Sequence, residues 1–309
     1  MSASQETPVK GEIIKIDLDG VLRDRLPRLS RLIPRFVVEW MKRTICQTRL
    51  NELLEENASL EGAPFARGVL RSLNITLAPE HEERLPEPSH RRVLYVSNHP
   101  LGGLDGMALI DYVQRRHGGN VYFVVNDLLQ AVAPLRSVFL PVNKFGRQSR
   151  EAIQAVEEAF AGNDPIIMFP AGLVSRLQKV RVGGNIQRRV CDLKWNKMFV
   201  NEAVKHQRDV IPLFFGGENS PHFYKMANRR LKLRLKFNFE MIYLPGEMFT
   251  LENSTLPVTF GSPVPWQQLT VGSGAPQCAA RMRRLIYRIA AGENPAFAEI
   301  PDASTPLDL

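Results

Sequence analysis

Short apolar runs alternate with helical patterns along much of this 309-residue chain. Runs that predict buried strands lie at residues 93–96, 121–125, 138–142, 165–169, 210–215, 233–243 and 256–260. Helical patterns fall between several of them, near residues 104–116, 148–161, 195–207 and 278–291. Because alternating strands and helices are typical of layered α/β domains, we predict an α/β fold with a central, mostly parallel or mixed sheet flanked by helices.

The N-terminal part of the chain has a different pattern. From Arg23 to about Asn57, apolar residues recur at spacings of three and four, which predicts an amphipathic helix, and Pro34 predicts that this helix is kinked or divided. A stretch rich in proline and glutamate follows at residues 79–88. We therefore expect an N-terminal helical, membrane-associating segment and linker over residues 1–88, a main α/β domain over residues 89–293, and a poorly ordered tail over residues 294–309.

Positive charge is concentrated in this amphipathic helix. The whole chain has a net charge of +8, and residues 23–49 contain eight basic and two acidic side chains, which is a net +6. A helix of this kind can lie in a lipid interface, with apolar side chains inserted and basic side chains on anionic headgroups. The alternative is a surface helix that packs on the main domain and leaves a solvated basic face. The residues predicted to contact an anionic membrane are Arg28, Arg31, Arg35, Phe36, Trp40, Lys42 and Arg43.

Other sequence features narrow the class of protein. Cys46, Cys191 and Cys278 lie far apart without metal-ligand spacing, which predicts reduced thiols and no metal site. No run of about 18 apolar residues and no signal-peptide pattern occurs, so we expect a cytoplasmic protein bound peripherally to the inner face of the cell membrane. The basic residues line an apolar helix and no recognised nucleic-acid-binding motif occurs, so we expect no nucleic-acid partner.

The segment from Val93 to Asp105 carries the strongest chemical signal. A buried strand ends at Ser97, and the chain then presents Asn98, His99 and a pair of glycines before a helix begins. Ligands of open α/β sheets bind beyond the carboxyl ends of strands, where a histidine can act as a general base. A carboxylate close after it can orient the imidazole and stabilise its protonated form. The alternative is a helix N-terminus capped by Asn98, with a surface histidine.

Three further blocks follow in order along the chain. With the segment around His99 as the first block, the second is Phe139–Lys144 with Arg147 and Arg150 after it, the third is Ile166–Arg176 with the sequence Phe-Pro-Ala-Gly-Leu-Val-Ser-Arg at its end, and the fourth is Val210–Gly216. Together with His99 and Asp105, these blocks resemble the glycerolipid acyltransferases, the family that includes the lysophosphatidic acid acyltransferases. The resemblance covers about residues 90–260.

The resemblance implies direct acyl transfer from acyl-CoA or acyl carrier protein to the hydroxyl of a lysolipid, with no metal or other cofactor. His99 is then the catalytic base and Asp105 steadies its imidazolium, while backbone N–H groups near Gly172 stabilise the oxyanion. The residues expected to bind substrate are Asn98, Lys144, Arg147, Arg150, Pro170, Gly172, Ser175 and Arg176.

Two positions depart from the family pattern. Five residues separate His99 from Asp105 where the family has four, and Ala171 occupies the position of a glutamate. The Phe-Pro-Ala-Gly variant and the run Asp192-Leu-Lys-Trp195 resemble a bacterial, hemolysin-like subgroup whose members acylate lyso-ornithine or lyso-glycine lipids. That resemblance implies a lyso-aminolipid acceptor.

Three alternatives remain at this stage. The first is a 1-acylglycerol-3-phosphate acyltransferase, and the second is a non-catalytic protein that binds membrane surfaces. The third is a phosphatase, because Asp17 and Asp19 resemble the nucleophile motif of haloacid dehalogenase-type phosphatases. The chain lacks the Asp-Asp pair of that family's late metal site, which disfavours the phosphatase.

Overall fold

The computed structural model describes residues 15–25, 27, 32–126, 132–142, 149–182, 184–235 and 237–301. The α-helices are α1 (Leu18–Arg25), α2 (Arg35–Thr44), α3 (Gln47–Glu56), α4 (Gly62–Ser72), α5 (Gly103–His117), α6 (Arg150–Ala161), α7 (Met198–Lys205), α8 (Pro221–Lys232), α9 (Leu244–Thr250) and α10 (Ala275–Ile289). The strands are β1 (Thr76–Glu80), β2 (Val93–Ser97), β3 (Tyr122–Asn126), β4 (Phe139–Val142), β5 (Ile166–Met168), β6 (Arg176–Val182), β7 (Asn185–Cys191), β8 (Asp209–Phe215) and β9 (Thr255–Phe260).

Seven strands form one sheet in the order β1-β9-β8-β2-β5-β3-β4, and β6 pairs with β7 in a separate antiparallel hairpin. The strands β8, β2, β5, β3 and β4 are parallel to one another. Strand β9 is antiparallel to β8, and β1 is parallel to β9. The prediction of an α/β fold with a central, mostly parallel sheet flanked by helices is confirmed.

Strand β2 lies near the middle of the sheet and is buried along its whole length. Successive side chains of a strand point to opposite faces. Val93 and Tyr95 accordingly pack in the core on the face covered by α4 and α5, whereas Leu94 and Val96 pack in the core on the face covered by α6, α7 and α10. The continuous apolar run in the sequence reflects this burial on both faces. Because β2 is held in the core, the residues that follow Ser97 lie at the edge of the sheet where the carboxyl end of β2 is found.

Residues 233–243 do not form the predicted strand. Ser220 caps the start of α8 by accepting a hydrogen bond from the Phe223 N–H, and Pro221 follows in the first turn. These are helix-start signals, and the helix they begin continues to Lys232. A turn and a 3₁₀ helix over residues 239–243 follow, so the alternation of apolar and basic residues there does not reflect a strand.

Two other segments differ from expectation. Part of the proline- and glutamate-rich stretch is strand β1, which joins the edge of the main sheet through β9. At the other end, residues 294–301 of the predicted tail are ordered against α10, because Phe297 and Ile300 are buried and the Arg281 guanidinium donates hydrogen bonds to their carbonyls. Residues 302–309 lie outside the described residues.

The amphipathic N-terminal segment contains α1, α2 and α3, with Pro34 immediately before α2. The predicted break at this proline is therefore present. Within the described residues, no helix has both the length and the apolar character needed to cross a bilayer.

Arg208 ties the start of β8 to the end of α6 at the edge of the sheet opposite His99. Its side chain is fully buried and donates hydrogen bonds to the carbonyl groups of Val93, Ala159, Phe160, Gly162 and Asp164. Burial lowers the pKa of its guanidinium to about 10, which still leaves it charged at neutral pH. A cation at a helix C-terminus is favourable because the helix dipole places negative partial charge there.

We therefore expect Arg208→Leu to lower the free energy of unfolding by about 3 kcal/mol or more, because it leaves several buried carbonyls without donors. Urea denaturation measures the effect. The matched control Arg71→Leu removes an exposed arginine from α4 and should change the free energy of unfolding by no more than about 0.5 kcal/mol. Equal stability of the two variants would contradict the role given to Arg208.

Candidate active site

His99 lies just beyond the carboxyl end of β2, and its imidazole Nδ1 is 2.9 Å from Oδ2 of Asp105. The Asp105 side chain is fully buried and also accepts hydrogen bonds from the backbone N–H groups of Leu101 and Gly106. An imidazole whose Nδ1–H donates to this side chain presents Nε2 as its basic nitrogen. The pairing predicted from the sequence is present, and its geometry suits general-base catalysis.

The five-residue spacing is accommodated by the turn before α5. Gly102 has a φ of +83°, a conformation that side-chain-bearing residues rarely adopt, and it immediately precedes the helix. Asp105 consequently lies in the first turn of α5, where a negative charge interacts favourably with the helix dipole. The additional residue relative to the family pattern therefore does not separate the two side chains.

The buried carboxylate of Asp192 fixes the backbone of His99. Its Oδ1 accepts a hydrogen bond from the His99 N–H at 3.1 Å and from the Ser175 hydroxyl at 2.6 Å, and its Oδ2 accepts one from the Trp195 indole at 2.8 Å. The Ser175 N–H in turn donates to the His99 carbonyl. Burial raises the pKa of Asp192, and these three donors oppose that rise.

An apolar cavity of about 230 Å³ opens beside His99, between α5 and strands β3 and β4. The Phe169 ring stacks on the His99 imidazole, with ring centroids 4.3 Å apart, and forms part of the cavity wall. The other lining residues with large apolar side chains are Met107, Ile110, Phe123, Val124, Val125, Val132, Leu135, Phe139, Val142, Met168 and Met198. A deep apolar slot next to a histidine base suits an acyl chain whose reacting carbonyl lies at the imidazole.

Three residues expected to bind substrate have partners within the protein. The Asn98 amide is buried and exchanges two hydrogen bonds with the backbone of Phe215, which joins the ends of β2 and β8. The Ser175 hydroxyl is used by Asp192. The Arg176 guanidinium is buried, forms an ion pair with Glu240 at 2.9 Å and does not line the described cavity. The sequence could not show these partners because each is distant along the chain.

The loop after β5 contributes to the cavity through Pro170 and Gly172. The N–H of Gly172, expected to stabilise an oxyanion, donates to the Phe169 carbonyl at 2.9 Å and is therefore engaged in a turn. Gly172 has a φ of +59°, so a larger residue would be strained there. Ala171 is buried among the apolar side chains on the face of the sheet covered by α6, α7 and α10.

The basic loop after β4 is described only in part. Arg150 is exposed at the first position of α6, whereas Lys144 and Arg147 lie outside the described residues.

The predicted membrane-binding residues are also divided. Arg35, Phe36, Trp40 and Arg43 are exposed on α2, none of whose residues is buried. Lys42 instead directs its ammonium group between Asp19 and Glu39, so its charge is neutralised within the protein. Arg28 and Arg31 lie outside the described residues.

Two other groups of acidic side chains are separate from this site. The Asp17 carboxylate accepts a hydrogen bond from the Asp19 N–H at the start of α1, and the Asp19 carboxylate pairs with Lys42. Both carboxylates therefore have partners within the protein. Glu157, Glu202 and His206 lie close enough together to share one cation. They lie by the start of β8, at the opposite end of the sheet from His99.

Sequence reasoning missed the role of Asp192, although the run Asp192-Leu-Lys-Trp195 was noted for its resemblance. A signal was present in that spacing, since Trp195 is the residue whose indole holds the carboxylate. Glu240 carried no comparable signal. It is fully buried and pairs with Arg230 and with Arg176, the latter 64 positions away along the chain.

Comparison with known proteins agrees with this geometry. The profile of the family described as Acyltransferase matches residues 20–290. A lyso-glycine lipid O-acyltransferase of Bacteroides thetaiotaomicron is 38% identical over 274 residues, which cover 89% of this chain and 97% of the relative. A protein of the same name from Phocaeicola vulgatus is 38% identical over 277 residues, which cover 90% and 96%.

One solved structure is also similar, the 1-acyl-sn-glycerophosphate acyltransferase PlsC of Thermotoga maritima. It has a TM-score of 0.44 and 16% identity, over 83% of this chain and 88% of that protein.

The family match covers most of the chain, including the His99–Asp105 pair and the strands that position it. The resemblance found in the four sequence blocks is therefore confirmed, and an enzyme is favoured over a non-catalytic scaffold. The chain belongs to the acyltransferase family and is an acyltransferase.

Proposed function

We propose that this enzyme transfers a fatty acyl group from acyl-CoA or acyl carrier protein to the free hydroxyl of a lysolipid of the lyso-glycine or lyso-ornithine type. The observation that carries the proposal is the His99–Asp105 pair beside a deep apolar cavity. The two relatives named lyso-glycine lipid O-acyltransferase support the choice of acceptor.

The transfer proceeds through a tetrahedral intermediate that forms and then collapses. Nε2 of His99 removes the proton of the acceptor hydroxyl as its oxygen forms a bond to the thioester carbonyl carbon. The Asp105 carboxylate stabilises the imidazolium through Nδ1. When the tetrahedral intermediate collapses, the carbon–sulfur bond breaks and the thiolate takes the proton back from Nε2. The products are an ester and a free thiol.

The cavity fits the acyl chain better than the headgroup. Its walls are nearly all apolar side chains, and burial of methylene groups there contributes about 0.8 kcal/mol for each CH₂. The thioester carbonyl then lies at the mouth, near His99 and Gly102. The acceptor hydroxyl approaches the same carbonyl at His99.

A lyso-aminolipid fits the third block better than lysophosphatidic acid does. A phosphate dianion needs cationic partners in a buried site. Arg176, the cation of this block, is already neutralised by Glu240. A 1-acylglycerol-3-phosphate acyltransferase is the second candidate, and acceptor competition separates the two.

The enzyme also associates with the surface of an anionic membrane, at the inner face of the cell membrane, where its acceptor is found. Phe36 and Trp40 project from α2 with large exposed apolar surfaces, and Arg35 and Arg43 are exposed on the same helix. Such a helix lies in the interface with its apolar side chains inserted among the headgroups.

Replacement of His99 tests the mechanism. We expect His99→Ala to lower kcat for acyl transfer by roughly 10²–10⁴, because general-base catalysis contributes about that factor. Asp105→Asn should lower kcat as well, since an amide does not stabilise the imidazolium. The control His90→Ala removes an exposed histidine and should leave kcat unchanged. A folded His99→Ala enzyme with normal turnover would exclude this mechanism.

The acceptor is tested by competition between lyso-glycine lipid, lyso-ornithine lipid and lysophosphatidic acid in one reaction. We expect a higher kcat/KM for a lyso-aminolipid, because no cation of the third block is available to a phosphate dianion. Product masses identify which acceptor was used. A higher kcat/KM for lysophosphatidic acid would favour the second candidate.

Membrane association through α2 is tested by flotation with vesicles of phosphatidylcholine and phosphatidylglycerol. Each basic residue near an anionic surface contributes about 1 kcal/mol, so Arg35→Gln/Arg43→Gln should weaken binding roughly thirtyfold at low salt. The control Arg115→Gln/Lys205→Gln removes two charges at the opposite end of the sheet and should bind like the wild type. Equal loss in both variants would argue against a specific role of α2.

A further inference from the structure

Large apolar side chains that remain exposed are concentrated in two short segments. Of the eleven among the described residues, Leu32, Phe36 and Trp40 lie in or just before α2, and Leu231, Leu233, Leu235 and Phe237 lie at the end of α8 and in the turn after it. These seven residues are thus confined to about sixteen positions of the chain. Scattered single exposures are normal on a protein surface, whereas clusters of this kind mark a contact with a partner or a membrane.

The second cluster, residues 229–237, combines its apolar side chains with positive charge. Its sequence is Arg-Arg-Leu-Lys-Leu-Arg-Leu-Lys-Phe, which contains five basic residues and no acidic one. Within the described part of the chain, Arg229, Lys232 and Arg234 form no ion pair. An apolar surface bordered by unneutralised basic groups complements an anionic lipid surface, which offers both acyl chains and negative headgroups.

The backbone holds this cluster in an outward-facing turn. The N–H of Leu235 donates to the Arg230 carbonyl and the N–H of Arg234 donates to the Leu231 carbonyl, which is the Schellman pattern that ends many helices. Arg234 occupies the left-handed position of this motif, with a φ of +53°, where glycine is usual. Leu235 stays largely exposed, although the residue at its position in this motif usually packs back on the helix.

An ion-pair network connects the cluster to the loop that carries His99. The carboxylate of Glu240 is fully buried and pairs with Arg230 of α8 at 3.1 Å and with Arg176 of the third block at 2.9 Å. Ser175, next to Arg176, hydrogen-bonds the His99 backbone. A continuous set of contacts therefore links the turn to the loop that carries His99.

The 3₁₀ helix over residues 239–243 contacts both α2 and α8. The Tyr243 ring contacts Trp40 of α2 edge-on, with centroids 6.3 Å apart, and also contacts His222 at the start of α8. Leu244 follows directly and lies against Gly102 at the mouth of the cavity. Tyr243 thus connects the exposed segment of α2 with the start of α8, and Leu244 next to it reaches a residue that lines the cavity.

We propose that Leu231, Leu233, Leu235 and Phe237, with Lys232 and Arg234 beside them, form a second contact with an anionic membrane, which acts together with α2 and brings the cavity mouth to the lipid surface. The contact extends the membrane association proposed above. It does not depend on the chemistry at His99, because vesicle binding is measured without turnover.

The test compares serine substitutions in the full-length protein, using vesicles of phosphatidylcholine with and without phosphatidylglycerol. Leu233 and Val271 are matched in exposure, at 68% and 67%, and Val271 lies in the connection between β9 and α10. We expect Leu233→Ser/Phe237→Ser to weaken binding to the anionic vesicles at least tenfold and Val271→Ser to leave it unchanged. Thermal unfolding of each variant verifies that it remains folded.

A charge variant gives a second, independent measurement. Lys232→Gln/Arg234→Gln should weaken binding to vesicles that contain phosphatidylglycerol and leave the weaker binding to pure phosphatidylcholine unchanged. Loss of acyl transfer in His99→Ala with normal vesicle binding would leave this proposal intact, so the two proposals fail separately.

Two results would overturn the proposal. In the first, Leu233→Ser/Phe237→Ser binds anionic vesicles as tightly as the wild type, so that α2 alone accounts for membrane association. In the second, light scattering shows a dimeric wild type and a monomeric variant with unchanged vesicle binding, so that the cluster is an interface between two copies of the chain.

Discussion

The carboxylate of Asp192 has no contact with solvent and accepts hydrogen bonds from three different segments of the chain. Through these bonds it holds the loop after β2, the third block and the tryptophan before α7 against one another. A buried carboxylate is costly unless such donors compensate its lost hydration, and burial accordingly raises the pKa of Asp192. The position of the His99 backbone depends on this one group, because both its N–H and its carbonyl are fixed by Asp192 and by the serine that Asp192 binds.

The cationic residue of the third block, Arg176, is paired inside the protein. Arg176 resembles a substrate-binding residue, yet its guanidinium is buried against Glu240 and lies over the Phe223 ring. Burial lowers the pKa of Arg176, and the nearby carboxylate opposes that change. The residue therefore joins the catalytic loops to α8 and the turn after it.

Prediction from the sequence succeeded where the physical cause was local or periodic. The strands β2, β3, β4, β5, β8 and β9 are short apolar runs. In β2, β5 and most of β8 the run is continuous because both faces of the parallel sheet are buried there. It failed for residues 231–237, where leucines alternate with basic residues as in a strand. The alternation there arises in a helix end and a turn. Ser220 caps the start of α8, and this helix continues to Lys232. The β6–β7 hairpin was missed because its exposed polar residues give no apolar pattern.

By itself, the sequence determined the layered α/β architecture, the family and the His99–Asp105 pair. That pair is separated by only six positions, so a tight turn with a glycine at positive φ is enough to bring the side chains together. Only the tertiary structure decided that Asn98 pairs with Phe215, Arg176 with Glu240 and Asp192 with His99, pairs that are separated by between 64 and 117 positions along the chain. Hydrogen bonds of buried polar groups must be satisfied by whatever the folded chain brings near, and that choice follows from the packing of the whole domain.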